Sequence, residues 1–475
     1  MEKKITIEPV TRVEGHGKVT VYLNENNEVD RAYFHVVEVR GFEKFCEGRL
    51  FWEMPTITER ACGICPVSHH LASAKTGDAI LGVEIPPTAR KLRELMHLGQ
   101  VLQSHALHFF FLASPDFLLG ADADPAIRNV VGVVQKFPDL AKKGIKLRSF
   151  GQTIIEILGG KKIHPRFAIP GGVSNGLSEK GKTYILSNID KIIEDAKAGV
   201  DVVKSLFEKD TGELSEFGRF PSMYMGLVNE DGSINLYDGK IRLRDNQGRI
   251  VDEFSKDEYL SKIAEWVENW SYMKFPFYKE FGYPNGCYRV GPLGRFNVSD
   301  KLGTPLADKE FFELKQKGKN GIIEGTLYYH YARMIEVLYC AEKIKELMHD
   351  PDIDKTELRA ISTHYNPYGI GVLEAPRGTL IHHYEVDKKG QITKVNLIVA
   401  TVNNNNAINQ AVTQVAKRYI KGEKIKEGML NRVEMAIRAY DPCLSCATHS
   451  VGKMPLKLEV VSPSGERVKT VYKNG

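Results

Sequence analysis

Two Cys-x-x-Cys motifs stand at opposite ends of this 475-residue chain: Cys62-Gly-Ile-Cys65, followed by His69, and Cys443-Leu-Ser-Cys446, followed by His449. Cys65 and Cys443 are 378 positions apart (443 − 65). If the two pairs share one metal, the fold must carry both ends of the chain to one point. Four thiolates are soft ligands and select Zn, Cu(I), Ni or Fe–S. A structural zinc site explains the ligand set on its own. Zinc ribbons, however, place their pairs about 15–20 residues apart. The residues alone leave both a structural and a functional centre open.

The rest of the chain narrows the class. With 65 basic and 60 acidic residues the formal net charge is only +5, and no run of five like charges occurs. That argues against nucleic acid as the main partner. The N-terminus lacks the apolar core of a signal peptide. The greasiest stretch, His108 to Gly120, is interrupted by Ser114, Pro115 and Asp116, so no membrane span is expected. The expected location is the cytoplasm, where thiols stay reduced. Cys46, Cys287 and Cys340 have no paired neighbour and read as small buried hydrophobes.

The pattern predicts an α+β fold, with an N-terminal β-rich segment on a large core of long helices and further short antiparallel sheets. Residues 1–40 alternate as strands around an Asn24–Asn27 turn. Helical spacing runs over 88–112 and is expected to stop before Pro115. Further helices are expected over 126–160, 179–208, 322–348, 406–420 and 428–439, with Ile169–Val173 as a loop. Strands are expected over 222–255 and 370–400, the latter with an Asp387-Lys-Lys-Gly390 turn. Residues 450–475 read as a separate small hairpin.

Arg60-Ala-Cys-Gly-Ile-Cys-Pro-Val-Ser-His69 and Asp441-Pro-Cys-Leu-Ser-Cys-Ala-Thr-His449 resemble the two signature motifs of the nickel–iron hydrogenase large subunit. Arg12-Val-Glu-Gly-His16, Arg40-Gly-Phe-Glu43 and Glu374-Ala-Pro-Arg-Gly378 are similar to further motifs of that family, in the same order. Arg40-Gly-Phe-Glu-Lys-Phe45, Trp270-Ser-Tyr-Met-Lys-Phe-Pro276, Val290-Gly-Pro-Leu-Gly-Arg295 and Met454-Pro-Leu456 look most like the soluble NAD-reducing branch. The methyl-viologen-reducing branch, coupled to heterodisulfide reductase, shares several of these stretches.

The resemblance implies a Ni bridged to an Fe that carries two cyanides and one CO. Cys62 and Cys443 would be terminal Ni ligands, and Cys65 and Cys446 would bridge the metals. Such a cluster carries about two net negative charges, which are costly to bury unpaired. Arg377 is the implied cation, donating to one cyanide, and the Val399-Ala400-Thr401 segment would face the other. Cys443 would take the proton from heterolytic H2 cleavage and Glu14 would relay it. Read alone, Glu14 is a strand-edge surface carboxylate. Glu43, the Leu397 carbonyl and His449 would hold Mg2+. His69 would hold a bridging sulfur, and Asp116, Pro376 and Asp441 would lie around Arg377. Read alone, His69 is a helix-face histidine and His449 a plain loop residue.

The implied partners are an Fe–S small subunit, together with a flavin- and NAD-binding diaphorase, because this chain shows no credible nicotinamide fingerprint. Nickel-insertion proteins and an endopeptidase are implied for maturation. Residues 1–449 would be the catalytic unit, and 450–475 an extension removed after His449. Complex-I-like relatives keep such a fold without the cysteines. All four are present here, which weighs against a scaffold of that kind. A structural-zinc protein would leave Arg377 and Glu14 without a role.

Overall fold

The computed structural model describes residues 4–421 and 425–448, and the backbone of 456–461 and 467–473. The three N-terminal strands, Lys4–Ile7, Gly17–Leu23 and Val29–Val36, form an antiparallel sheet in sequence order. Their alternation buries Val19, Val21, Phe34 and Val36. The sheet rests on the Asn405–Tyr419 helix, where the Phe34 N–H donates to Asn409 Oδ1 at 2.8 Å and the Thr413 hydroxyl donates to the Ala32 carbonyl at 3.0 Å.

The centre is helical. Pro87–Leu107 packs against Pro138–Gly159, Pro66–Leu81 and Tyr328–Met348, and the last of these also packs against Glu179–Glu208. Three of these helices begin at proline (Pro66, Pro87 and Pro138). There the missing N–H has no intrahelical acceptor to lose. Glu179–Glu208 is capped by Ser178, whose hydroxyl accepts from the Gly181 N–H at 3.1 Å. It buries Ile185, Ile189, Ile192, Ala196, Val200, Val203 and Phe207 along one stripe, the spacing of an amphipathic helix.

The structure corrects four expectations. Pro115 does not end the long apolar helix. The α-helix gives way to a π turn at His108–Ala113 and resumes as Ser114–Leu118. Pro115 sits in the first turn of the new segment, where proline is tolerated. The helix expected over 126–160 is two, Val130–Lys136 and Pro138–Gly159. They part at Phe137 (φ −133°, ψ 59°), because a residue before proline is pushed out of helical geometry. The helix expected from 322 begins only at Tyr328. Residues 168–173 form a minimal hairpin, Ala168–Ile169 with Gly172–Val173, rather than a plain loop.

The segments that build the site come last. Tyr368–Ala375, Gly378–Val386 and Ile392–Ile398 form an antiparallel meander. The first hairpin closes at Ala375 opposite Gly378, leaving Pro376 and Arg377 as its tip. Gly378 has φ +135°, and a Cβ there would lie 2.2 Å from Val290 Cγ2, so only glycine fits. The same meander lies on the Pro66–Leu81 helix so closely that a Cβ at Gly371 would sit 2.3 Å from the Ala72 carbonyl oxygen. Met223–Val228, Lys240–Arg244 and Ile250–Phe254 form the expected short sheet, extended by Tyr288–Arg289. Leu456–Val461 pairs antiparallel with Arg467–Lys473, a hairpin as expected. Cys46, Cys287 and Cys340 are free and buried. Among the described residues no helix is long and apolar enough to cross a membrane.

Candidate metal centre

The two Cys-x-x-Cys motifs meet in the core. The Sγ atoms of Cys62, Cys65, Cys443 and Cys446 all lie within 4.8 Å of one another. Individual separations are 3.2 Å (Cys62–Cys65), 3.4 Å (Cys62–Cys443), 3.8 Å (Cys65–Cys446) and 2.8 Å (Cys443–Cys446). Cys65 is the residue before the Pro66–Leu81 helix, and Cys443 the residue before the short Leu444–Ala447 helix. The Ile64 and Cys65 N–H groups both point at Cys62 Sγ, at 3.2 Å each. Backbone N–H groups at a helix start favour a thiolate. Burial pushes the Cys443 and Cys446 thiols well up, whereas donation from neighbouring thiols holds Cys62 low. Four buried sulfurs at this spacing cannot all ionise without a cation among them.

The other motifs seen in the sequence converge here. Asp441 adopts left-handed backbone geometry (φ 52°) after the Glu427–Ala439 helix, and residues 443–446 follow into the core. Glu14 pairs with Cys443 as a parallel bridge, and its carbonyl accepts from the Leu444 N–H at 3.0 Å. The Glu14 carboxylate then sits against the centre. Its Oε2 accepts from Cys443 Sγ at 3.1 Å and from the Ser445 N–H at 3.0 Å. On the other side, Arg40 donates its N–H to the Thr448 carbonyl at 2.7 Å and its Nη1 to the Ala61 carbonyl at 3.2 Å.

Arg377 projects from the hairpin tip and is buried. Its Nε donates to the Asp441 carbonyl at 2.5 Å and its Nη2 to Asp441 Oδ1 at 3.1 Å. Burial opposes the Arg377 charge, but Asp441 and the nearby sulfurs outweigh it and hold the guanidinium protonated. Nη1 is buried with no hydrogen-bond partner. Arg377, His69, Ala400, Thr401, Cys65, Cys443 and Cys446 line one enclosed cavity with room for about one water-sized molecule, ≈ 10 Å³. The Thr401 hydroxyl accepts from the Cys443 N–H at 3.0 Å, which leaves its own proton for a second bond. An orphaned guanidinium N–H beside four thiols fits a soft metal centre that carries small anionic ligands.

The remaining predicted residues fall as follows. Glu43 Oε1 accepts from the Leu397 N–H at 2.7 Å, so these two expected Mg2+ residues are neighbours. His449 lies outside the described residues. His69 shares a hydrogen bond with His382 (Nδ1–Nε2, 3.1 Å). Pro376 turns the hairpin, and its carbonyl accepts from Arg295 at 3.2 Å.

Asp116 is buried and paired with Arg12 at 2.5 Å, Asn431 at 3.2 Å, Arg128 at 3.7 Å, and Arg438. It follows the π turn at His108–Ala113, in the short Ser114–Leu118 helix.

Sequence reasoning also missed the asparagines at 403–405. Asn403 donates to the Thr379 carbonyl at 2.9 Å, Asn404 accepts from the Val290 N–H at 2.9 Å, and Asn405 donates to the Met273 carbonyl at 2.9 Å. A run of asparagines at a helix start was the available signal, because asparagine is a poor helix former and an apt bridge to loop backbone.

Comparison with known proteins agrees with this geometry. The profile described as nickel-dependent hydrogenase matches residues 40–137 and 213–449, and one described as HoxL-like matches 4–39. The chain is similar to the NAD-reducing hydrogenase HoxS subunit beta of Cupriavidus necator, 46% identical over 98% of this chain and 99% of that one. It is also similar to the corresponding polypeptide of the vhc F420-non-reducing hydrogenase of Methanococcus voltae, 46% identical over 98% of this chain and 100% of that one. Among solved structures it resembles a crystal structure of an NAD+-reducing NiFe-hydrogenase in the H2-reduced state. The TM-score is 0.92 with 48% identity, covering 94% of this chain and 99% of that one.

Proposed function

The chain belongs to the nickel-dependent hydrogenase family as the large subunit of a nickel–iron enzyme, and on that premise we propose how its residues work. Cys62, Cys65, Cys443 and Cys446 would together hold a Ni–Fe centre, Cys62 and Cys443 on Ni and Cys65 and Cys446 shared with Fe. When bound, this group supplies the electrophilic, redox-active pair at which H2 is split heterolytically. Cys443 receives the proton on Sγ. Glu14 Oε2, at 3.1 Å, takes it onward, within hydrogen-bond reach as a proton acceptor must be. That contact is the single observation that carries the reading. Arg377 Nη1, which has no partner in the protein, and the Thr401 hydroxyl proton would donate to the small anionic ligands such a centre carries, and the tight cavity would keep bulk water out. Glu43 and the Leu397 carbonyl, with His449, would hold Mg2+. A carboxylate and a carbonyl suit that ion.

Electrons leave through other chains. Cys46, Cys287 and Cys340 are isolated in the core, and a cubane cluster needs four cysteines. We assign the next step to an Fe–S small subunit, then to a flavin-bearing diaphorase that reduces NAD+, in the cytoplasm. The similarity to NAD-reducing enzymes supports this acceptor. The methanogen relative, equally identical, supports a second reading in which another acceptor is served. The test is the purified native complex. We expect Ni and Fe in the large subunit, infrared bands of bound CO and cyanide, and H2-dependent NAD+ reduction. Zinc in place of nickel, with no such bands, would sink the assignment. Bands with viologen reduction but no NAD+ reduction would select the second reading.

We further propose that, after nickel insertion, an endopeptidase removes residues 450–475. The expectation that the tail holds residues 441–449 open until the metal is loaded is not met: with the tail strands present, the four sulfurs already lie within 4.8 Å of one another. Mass spectrometry of active large subunit is expected to end at His449. An active enzyme ending at Gly475 would refute the cleavage.

A further inference from the structure

Arg295 closes the Val290-Gly-Pro-Leu-Gly-Arg295 motif and does not line the metal cavity. It lies in the Pro292–Val298 helix and is 0% exposed. A guanidinium has five N–H donors, and here each has an acceptor. Nε and Nη2 grip the Glu336 carboxylate at 2.7 Å each. Nη1 donates to Glu374 Oε2 and to the Ala375 carbonyl, both at 2.9 Å. The second Nη2 hydrogen reaches the Pro376 carbonyl at 3.2 Å. The acceptors are themselves held: His105 Nε2 lies 2.8 Å from Glu336 Oε2, and the Thr379 hydroxyl donates to Glu374 Oε1 at 2.6 Å.

This arrangement bears on the hairpin tip. The strand ladder ends at Ala375 opposite Gly378, so Pro376 and Arg377 have no cross-strand partner to hold them. Arg295 instead binds the three residues that precede Arg377: a side chain at 374 and carbonyls at 375 and 376. The helix that carries Arg295 is also preceded by Gly291, where a Cβ would lie 2.8 Å from the Arg377 carbonyl oxygen. The tip is therefore fixed to a rigid helix in the core. Burial raises and Arg295 lowers the Glu336 carboxyl, and the balance leaves it at about 2, so the fork grips a charged partner.

We propose that Arg295 is a positioning residue for Arg377. By fixing the backbone just before Arg377, it sets the direction in which the free Nη1 points. The inference rests on the reading that Nη1 donates to a cyanide of the centre. Lysine cannot substitute, because one ammonium has three donors and no planar fork.

The test is a cycle on the purified heteromeric holoenzyme, comparing wild type, Arg295→Lys, Arg377→Lys and the double variant. Each is read for H2 oxidation per nickel, cyanide infrared bands and Tm. Arg295→Lys is expected to slow turnover per nickel at least about tenfold, since small misplacements of a positioned group can cost up to about a hundredfold. It should also move the cyanide bands. The double variant should be no more than about twofold slower than Arg377→Lys alone, because two residues acting through one contact are not additive. Multiplying losses would overturn the proposal. So would unmoved bands with wild-type turnover per nickel, even if Tm falls.

If Arg295→Lys yields no nickel-loaded protein, Glu336→Gln is the milder probe. It is nearly isosteric and removes one of the two carboxylate bonds. It should shift the bands in the same direction by less, and unmoved bands there would equally overturn the proposal. Absence of cyanide bands in wild type is a different outcome: it removes the functional reading and this inference with it.

Discussion

Replacing Cys446 with serine is expected to empty the centre of nickel and to lower H2 oxidation by at least about a thousandfold, because the bound metal supplies the chemistry. Cys446 Sγ lies 2.8 Å from Cys443 Sγ and 3.8 Å from Cys65 Sγ, so it stands between both motifs. A serine oxygen is a hard, weakly acidic donor and a poor bridge between soft metals. Cys65→Ser should behave alike, because it removes the other proposed bridge. Cys340→Ser is the control. Cys340 is also fully buried and free, so the change buries a hydroxyl in the same way and costs about 1–3 kcal/mol of stability. It should leave nickel content and turnover per nickel unchanged. Metal analysis per large subunit, run beside thermal unfolding, separates the two effects. Wild-type nickel and turnover in Cys446→Ser would remove that residue from the centre. Equal nickel loss in Cys340→Ser would make the loss a folding effect.

Much of this arrangement could be read from residue order. Paired cysteines at the two ends require the ends to meet, and the four sulfurs do lie together. The apolar stripe over 179–208 predicted a helix whose bounds are those found. The alternation over 370–400, with an Asp387–Gly390 turn, predicted the meander. These features are local, or follow from one ligand set.

What could not be read depends on three-dimensional closure. The π turn at His108–Ala113 uses no residue type that a regular helix would lack, so nothing in the sequence marks it. Arg295 stands in the sequence only as the last residue of the Val290–Arg295 stretch, with nothing to name its partners. Its five acceptors come from residues 336 and 374–376, which only the folded chain brings to it. Glu14 is the intermediate case. A motif suggested its proposed role, but its position depends on a single parallel bridge to Cys443 across more than four hundred residues of chain.

That position makes Glu14→Gln the most direct test of the proton route. The amide is nearly isosteric, and its oxygen can still accept from the Ser445 N–H that now reaches Oε2 at 3.0 Å. The bridge between Glu14 and Cys443 is made by backbone and does not depend on the side chain. Assembly should therefore proceed, with wild-type nickel and unchanged infrared bands. What the amide cannot do is take a proton from Cys443 Sγ. Loss of a positioned acid–base group costs about 10²–10⁴-fold, and a fall of that size is expected in both H2 oxidation and H2/D+ exchange. Exchange is the sharper readout, because it needs proton transfer but no electron partner. Glu14→Asp keeps a carboxylate but withdraws it by one methylene, so its exchange rate should fall between those of wild type and Glu14→Gln. Exchange in Glu14→Gln within about twofold of wild type, with the metals present, would be too small a loss for an acid–base group and would move the first proton acceptor away from Glu14.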